Sequence, residues 1–215
     1  MDELGAAALL AEAARRTVAL GLNRGAEGNV SLRFGEGFLI TPSGLPNDSL
    51  QAGQMVYMDL DGGWRGPLKP SSEWRIHRDI YRARPEAQAV VHAHSPHAVS
   101  LACLRRPIPA FHYMVAAAGG HDIPCAAYAT FGTEALSANV LTALAGRRAC
   151  LMANHGQVAL GRTLEEALRL AEIVEELAAQ YWRARLLGEP VLLTEAEMDA
   201  VLERFAGYGQ APAGG

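Results

Sequence analysis

Polar and apolar positions change period several times along the chain. Residues 2–20 are rich in Ala, Leu and Glu at helical spacing and stop at Gly21, which predicts a first helix. The period then drops to two. Val30, Leu32 and Phe34 alternate with polar residues, Gly35-Glu36-Gly37 supplies a hairpin turn, and Phe38-Leu39-Ile40 returns. Another strand is predicted over 55–60, closed by Asp61-Gly62-Gly63. Ser71-Ser72-Glu73 opens a helix that runs until Pro85, with serine as cap and Glu73 in the first turn. The apolar run Ala89-Val90-Val91 predicts a buried strand, followed by a helix from His94 to about Leu104. Thr133 begins a helix over 133–146, and Arg148 to Ala159 form a strand pair around His155. Thr163 caps a long helix reaching about Leu187, and a last helix runs from Leu193 to about Phe205. No repeat and no linker divides the chain. The expectation is one α/β domain over residues 1–208, a three-layer αβα arrangement in which a central, mainly antiparallel sheet is flanked by helices on both faces. The Ala-, Pro- and Gly-rich segment 209–215 is expected to be a flexible tail.

Composition narrows the partners. Half of the 215 residues are hydrophobic, a fifth are charged and the formal net charge is -4. Such a chain carries no footprint for nucleic acid or an anionic membrane. The three cysteines, Cys103, Cys125 and Cys150, are odd in number and widely spaced, which predicts free buried thiols in a reducing compartment. Met1-Asp2-Glu3-Leu4 lacks the basic start and apolar core of a signal peptide, and no apolar run is long enough for a membrane span. A cytoplasmic location is expected.

The candidate chemistry begins with His92 and His94. Two apart on a strand, they project from one face. Such a pair is also compatible with a strand edge or a hydrogen-bonded core. A third imidazole, His155, follows the apolar run 149–153 and precedes Gly156. Three imidazoles make a tetrahedral zinc site with one open position, which suits catalysis. Glu73 stands where a carboxylate serves as a helix cap or as a general base beside a metal. Gly28-Asn29, Ser43-Gly44 and Ser71-Ser72 are turn segments that pair backbone N–H groups with small polar side chains, the makings of an anion site.

The segments Gly28-Asn29-Val30-Ser31, Thr41-Pro42-Ser43-Gly44, Pro70-Ser71-Ser72-Glu73, Val91-His92-Ala93-His94 and Asn154-His155-Gly156 resemble, in order and spacing, the class II aldolase/adducin family. The stretch from Ile108 to Thr133, with His112-Tyr113-Met114 and Tyr128-Ala129-Thr130-Phe131-Gly132-Thr133, looks most like the branch that cleaves L-fuculose 1-phosphate. The resemblance implies zinc on His92, His94 and His155, with Mn, Co or Fe as substitutes, and Glu73 occupying the open position when substrate is absent. It implies that Glu73 is the acid/base and that Gly28, Asn29, Ser43, Gly44, Ser71 and Ser72 hold the phosphate. Tyr113 from a neighbouring subunit of a fourfold homotetramer would protonate the aldehyde oxygen, and Phe131 and Tyr208 would line the aldehyde end. The implied reaction is cleavage of a ketose 1-phosphate, L-fuculose 1-phosphate foremost, to dihydroxyacetone phosphate and L-lactaldehyde through an enediolate at the metal. Lys69 is the only lysine, which leaves little for a Schiff base.

Related readings on the same fold are an aldolase for another deoxy-ketose 1-phosphate, a methylthioribulose-phosphate dehydratase, a pentulose-5-phosphate 4-epimerase, which would carry Asp at position 73, and an adducin-like scaffold, which would lose metal ligands. One departure from the family pattern stands out: Ala26 replaces a frequent threonine near the phosphate turn. His77, His97 and His112 are expected to be packing or supporting residues. Trp74 and Trp182 read as core or interface aromatics, and His121 carries no role.

Overall fold

The structure, a computed structural model, describes residues 1–207. Tyr208 and the segment 209–215 lie outside the described residues. One mixed sheet organises the chain. Its strands are β1 (Asn29–Phe34), β2 (Gly37–Ile40), β3 (Val56–Asp59), β4 (Trp64–Arg65), β5 (Ala89–Ala93), β6 (Cys125–Ala126), β7 (Ala149–Met152) and β8 (Gly156–Gly161), in the order β4-β3-β2-β1-β5-β8-β7-β6. Only β6 and β7 pair in parallel; every other neighbouring pair is antiparallel.

The two-residue period of the strands sorts their side chains into two cores. Val30, Leu39, Ala89, Val91, Leu151 and Ala159 meet helices α1 (Glu3–Ala19), α3 (Pro96–Ala102), α5 (Leu164–Leu187) and α6 (Glu195–Ala206). Phe38, Ile40, Val56, Met58, Val90, Met152 and Val158 meet α2 (Trp74–Ala83) and α4 (Glu134–Ala143). The expected three-layer arrangement is therefore present. No described helix is long and apolar enough to cross a membrane.

Several boundaries differ from expectation. Ser71-Ser72-Glu73 is not a first helical turn: α2 begins at Trp74, and Glu73 is its cap residue without a side-chain capping bond. The serines are held out of the helix by a second tether. Ser71 N–H donates to the Thr41 carbonyl and Ser43 N–H to that of Lys69, so the two loops run side by side. The helix after β5 begins at Pro96 rather than His94, because Ser95 precedes proline and stays extended. Strands β4 and β6, and a 3-10 helix over Tyr113–Ala118, have no counterpart in the sequence pattern. All three cysteines are free, but Cys103 is exposed, and only Cys150 is fully buried. Trp182 is half-exposed and leans on His97 instead of filling the core.

Candidate metal centre

The end of β5 and the turn between β7 and β8 bring three imidazoles into a triangle. The ring centroids of His92, His94 and His155 lie 4.8 to 4.9 Å apart, with interplanar angles between 69° and 88°. Glu73 enters from the cap of α2. Its Oε2 lies 3.1 Å from His92 Nε2 and its Oε1 3.1 Å from His155 Nε2. One ligand atom from each of the four residues falls within 4.8 Å of the others.

Backbone details make this convergence possible. His155 follows Asn154, whose backbone has φ +55, and the tight turn is tied by Asn154 N–H to the Ala102 carbonyl and by Arg105 Nε–H to Asn154 Oδ1 at 2.8 Å. A Cβ on Gly156 would stand 2.4 Å from the Ala93 carbonyl oxygen and within 3.2 Å of both the His92 and His94 rings, so only glycine lets the turn close on the triad. Asn23 Oδ1 accepts the His94 N–H at 2.9 Å and fixes the exit from β5.

The donor set fits a divalent cation. His92 Nδ1–H donates to the Gln157 carbonyl at 2.9 Å, which leaves a lone pair on its Nε2; His94 Nε2 lies 3.0 Å away. Glu73 Oε1 is buried and makes no hydrogen bond, the 3.1 Å approach of His155 being an electrostatic contact. Nitrogens and oxygens this close need positive charge among them. Burial pushes the Glu73 carboxyl up, but the His92 and His155 imidazoles outweigh it and hold the acid well below the usual carboxylate range, so it stays ionised. Burial, then the neighbouring His92 and His155, depresses His94 to about 3, which keeps that ring neutral and ready to ligate.

A cavity of about 380 Å³ opens on this cluster. It is lined by Gly28, Asn29, Ser43, Gly44, Ser71 and Ser72, all six of the expected anion-site residues, together with Glu73, His94, His155 and Phe131. The Ser43 and Ser71 backbone N–H groups are committed to loop carbonyls, so those two serines offer their side chains and not, as expected, their amides. Tyr113 is not brought to the cavity within one chain. It is 51% exposed, stacks on His112 and lines a separate surface hollow with Arg148 and Arg169. Glu27, Tyr128 and Asn154 also line the cavity without a role assigned from sequence, although Tyr128 and Asn154 fall inside the family-like motifs. Gln157 and Asn23, which orient the ligands, carry no sequence signal. Lys69 is exposed and outside the cavity.

Known proteins match this chain along most of its length. Residues 8–182 fit the model of the Class II Aldolase and Adducin N-terminal domain. A 5-methylthioribulose-1-phosphate/5-deoxyribulose-1-phosphate aldolase of Rhodospirillum rubrum is 58% identical over 200 residues, spanning 93% of this chain and 90% of that protein. An L-fuculose phosphate aldolase of Escherichia coli K12 is 49% identical over 191 residues, covering 88% and 89% of the two chains. Among solved structures, an L-fuculose 1-phosphate aldolase superposes with a TM-score of 0.91 at 40% identity, over 94% of this chain and 96% of the other.

Proposed function

This chain belongs to the class II aldolase and adducin family, and we propose that it is a metal-dependent aldolase cleaving deoxy-ketose 1-phosphates to dihydroxyacetone phosphate and a short aldehyde. L-Fuculose 1-phosphate, giving L-lactaldehyde, and 5-methylthio- or 5-deoxyribulose 1-phosphate are the candidate substrates. Their shared part, the phosphorylated three-carbon end, is what the cavity is built to hold. The observation that carries the proposal is the position of Glu73: one carboxylate touches the imidazole cluster and lines the same cavity as the serine and glycine turns.

His92, His94 and His155 would hold the cation, with Glu73 as a fourth ligand in the absence of substrate. Zinc suits three imidazoles best, and Mn, Co or Fe are substitutes. When bound, the cation supplies Lewis-acid polarisation of the substrate's oxygens. Asn29, Gly28, Gly44 and the hydroxyls of Ser43, Ser71 and Ser72 anchor the phosphate and set the distance from it to Glu73. Glu73, ionised and shielded from bulk water, returns a proton to the hydroxymethyl carbon in cleavage and removes it in synthesis. Tyr113, exposed in the single chain, reaches the neighbouring subunit's cavity in a fourfold tetramer and moves the proton at the oxygen that becomes the aldehyde. Phe131, which lines the cavity, is the wall against the aldehyde's apolar end in this reading; Tyr208, expected beside it, lies outside the described residues. A reducing, cytoplasmic location is part of this reading, supported by three widely spaced cysteines that are free in the structure.

The purified protein, loaded with zinc, is assayed for triose phosphate release against L-fuculose 1-phosphate, 5-methylthioribulose 1-phosphate and 5-deoxyribulose 1-phosphate. Release from at least one is expected. Release from none, with zinc bound at one per chain, would refute the aldolase assignment.

A further inference from the structure

A buried line of hydrogen bonds runs from the last turn of α2 to the Glu73 carboxylate, and the proposed chemistry leaves most of it without a task. Tyr81 Oη lies 2.8 Å from Ser31 Oγ, which lies 2.6 Å from His77 Nδ1. His77 Nε2 lies 2.5 Å from Asn29 Oδ1, and Asn29 Nδ2 lies 3.0 Å from Glu73 Oε2. Ser31 and His77 are wholly buried, Tyr81 and Asn29 nearly so. Two simple periodicities build the line. Glu73, His77 and Tyr81 are four apart along α2 and its cap, and Asn29 and Ser31 are two apart on β1.

The protons in this line follow from its far end. Among the described residues, Ser31 is the hydrogen-bond partner of the Tyr81 hydroxyl, so the phenol donates to Ser31. Ser31 then donates to His77 Nδ1, and the remaining proton of a neutral His77 sits on Nε2 and goes to Asn29 Oδ1. Burial and the nearby His92 press the His77 pKa down to about 3, so the ring is neutral. The Asn29 amide is thereby turned with its NH₂ toward Glu73. The opposite orientation would set Asn29 Oδ1 against a carboxylate oxygen and its NH₂ against the His77 N–H, two repulsions. An amide does not pass a proton along, so the line orients and does not conduct.

We propose that His77 is a positioning residue which, backed by Ser31 and Tyr81, locks the Asn29 amide so that its N–H pins Glu73 Oε2 and leaves Oε1 as the oxygen that works. Glu73 Oε1 is the buried carboxylate oxygen without a hydrogen bond, as this division requires. The inference rests on Glu73 being the acid/base of the proposed aldolase.

The test compares wild type with His77→Leu, His77→Gln and Tyr81→Phe as zinc-loaded proteins. His77→Leu is expected to lower kcat about 10- to 100-fold with bound zinc and KM little changed. His77→Gln, whose amide N–H can reach Asn29 Oδ1, is expected to recover most of that loss. A second readout needs no turnover: with asparagine ¹⁵N-labelled, the Asn29 side-chain N–H protons should exchange with solvent at least about tenfold faster in His77→Leu and Tyr81→Phe than in wild type. If the wild type cleaves no ketose phosphate, the exchange result still decides the orientation of Asn29, while the aldolase assignment falls separately. An unchanged kcat in folded His77→Leu, an equal loss in His77→Gln, or unchanged Asn29 exchange in Tyr81→Phe would overturn the proposal. Should His77→Leu fail to fold, the Tyr81→Phe exchange rate decides between the two outcomes.

Discussion

His92 on β5 donates its Nδ1–H to the main-chain carbonyl of Gln157 on β8 at 2.9 Å. The register of two adjacent antiparallel strands, in which His92 pairs with Val158 and Ala93 with Gln157, thus selects the imidazole tautomer. A one-residue slip would turn the ligand to the other face. Gln157 is itself buried and held by Ser95 Oγ and the Ala171 carbonyl through its Nε2. The ligand is therefore oriented by α5 as well as by the sheet.

Removing the carboxylate charge while keeping its shape should separate catalysis from metal binding. Glu73→Gln leaves the three imidazoles in place, so one zinc per chain is expected by elemental analysis. Turnover should fall by about 10²–10⁴-fold, the usual contribution of a proton-transfer group. A variant with near-normal kcat would remove Glu73 from the proton-transfer role.

His155 is the candidate ligand supplied by the β7–β8 turn, so His155→Ala takes away one of three imidazoles without touching β5. Zinc content of the dialysed protein should drop to a small fraction of wild type. Full occupancy after dialysis would show that the cation sits elsewhere.

Tyr113 stands outside the cavity of its own chain, and its proposed action at the aldehyde oxygen from a neighbouring subunit predicts an effect on one half-reaction. Tyr113→Phe should slow ketose phosphate cleavage more than it slows proton exchange on dihydroxyacetone phosphate. Equal losses in both assays would argue against action at the aldehyde oxygen.

Ala26 lines the cavity beside Gly28 and Asn29, where a hydroxyl would face a phosphate held as proposed. Ala26→Thr should add one hydrogen bond to a charged group, about 1.5 kcal/mol or roughly a tenfold lower KM. A KM that stays put or rises would place the phosphate away from residue 26.

Acid should weaken the fold through His77. Its pKa falls from 6.5 to about 3 on folding, so the unfolded chain takes up a proton first as pH drops. The associated stability is complete above pH 6.5 and is lost as pH falls toward 3. At pH 5 the loss is about 2 kcal/mol from this one group. Urea midpoints of metal-stripped wild type and His77→Gln at about pH 7.5 and pH 5 measure it, and the variant should show the smaller drop. Identical pH dependence would mean that His77 is protonated in the folded state.

Sequence spacing exposes the features that depend on local periodicity. His92 and His94 are legible because strand side chains repeat every second residue, and the serine, glycine and asparagine turns because their residue types are tied to turn chemistry. Glu73 is legible as a site residue but expected in the first turn of α2 rather than at its cap, since the tether between Ser71 and Thr41 comes from a loop thirty residues upstream. Strands β4 and β6 have two residues each, too short for any period to show. Gln157, Asn23 and the full reach of His77 are silent for another reason. Each acts on a partner brought near only by strand pairing or by the packing of α2 on the sheet, and neither leaves a mark on neighbouring residues.

The candidate ligands come from segments far apart along the chain: the cap of α2, the end of β5 and the turn before β8. Nothing short of the assembled centre of the sheet can gather them. Tight capture of a cation during refolding is thus a clock for the slowest, most non-local pairings. A refolding chain should become competent to hold metal only when β1, β5 and β8 have found one another, later than its helices reach full ellipticity.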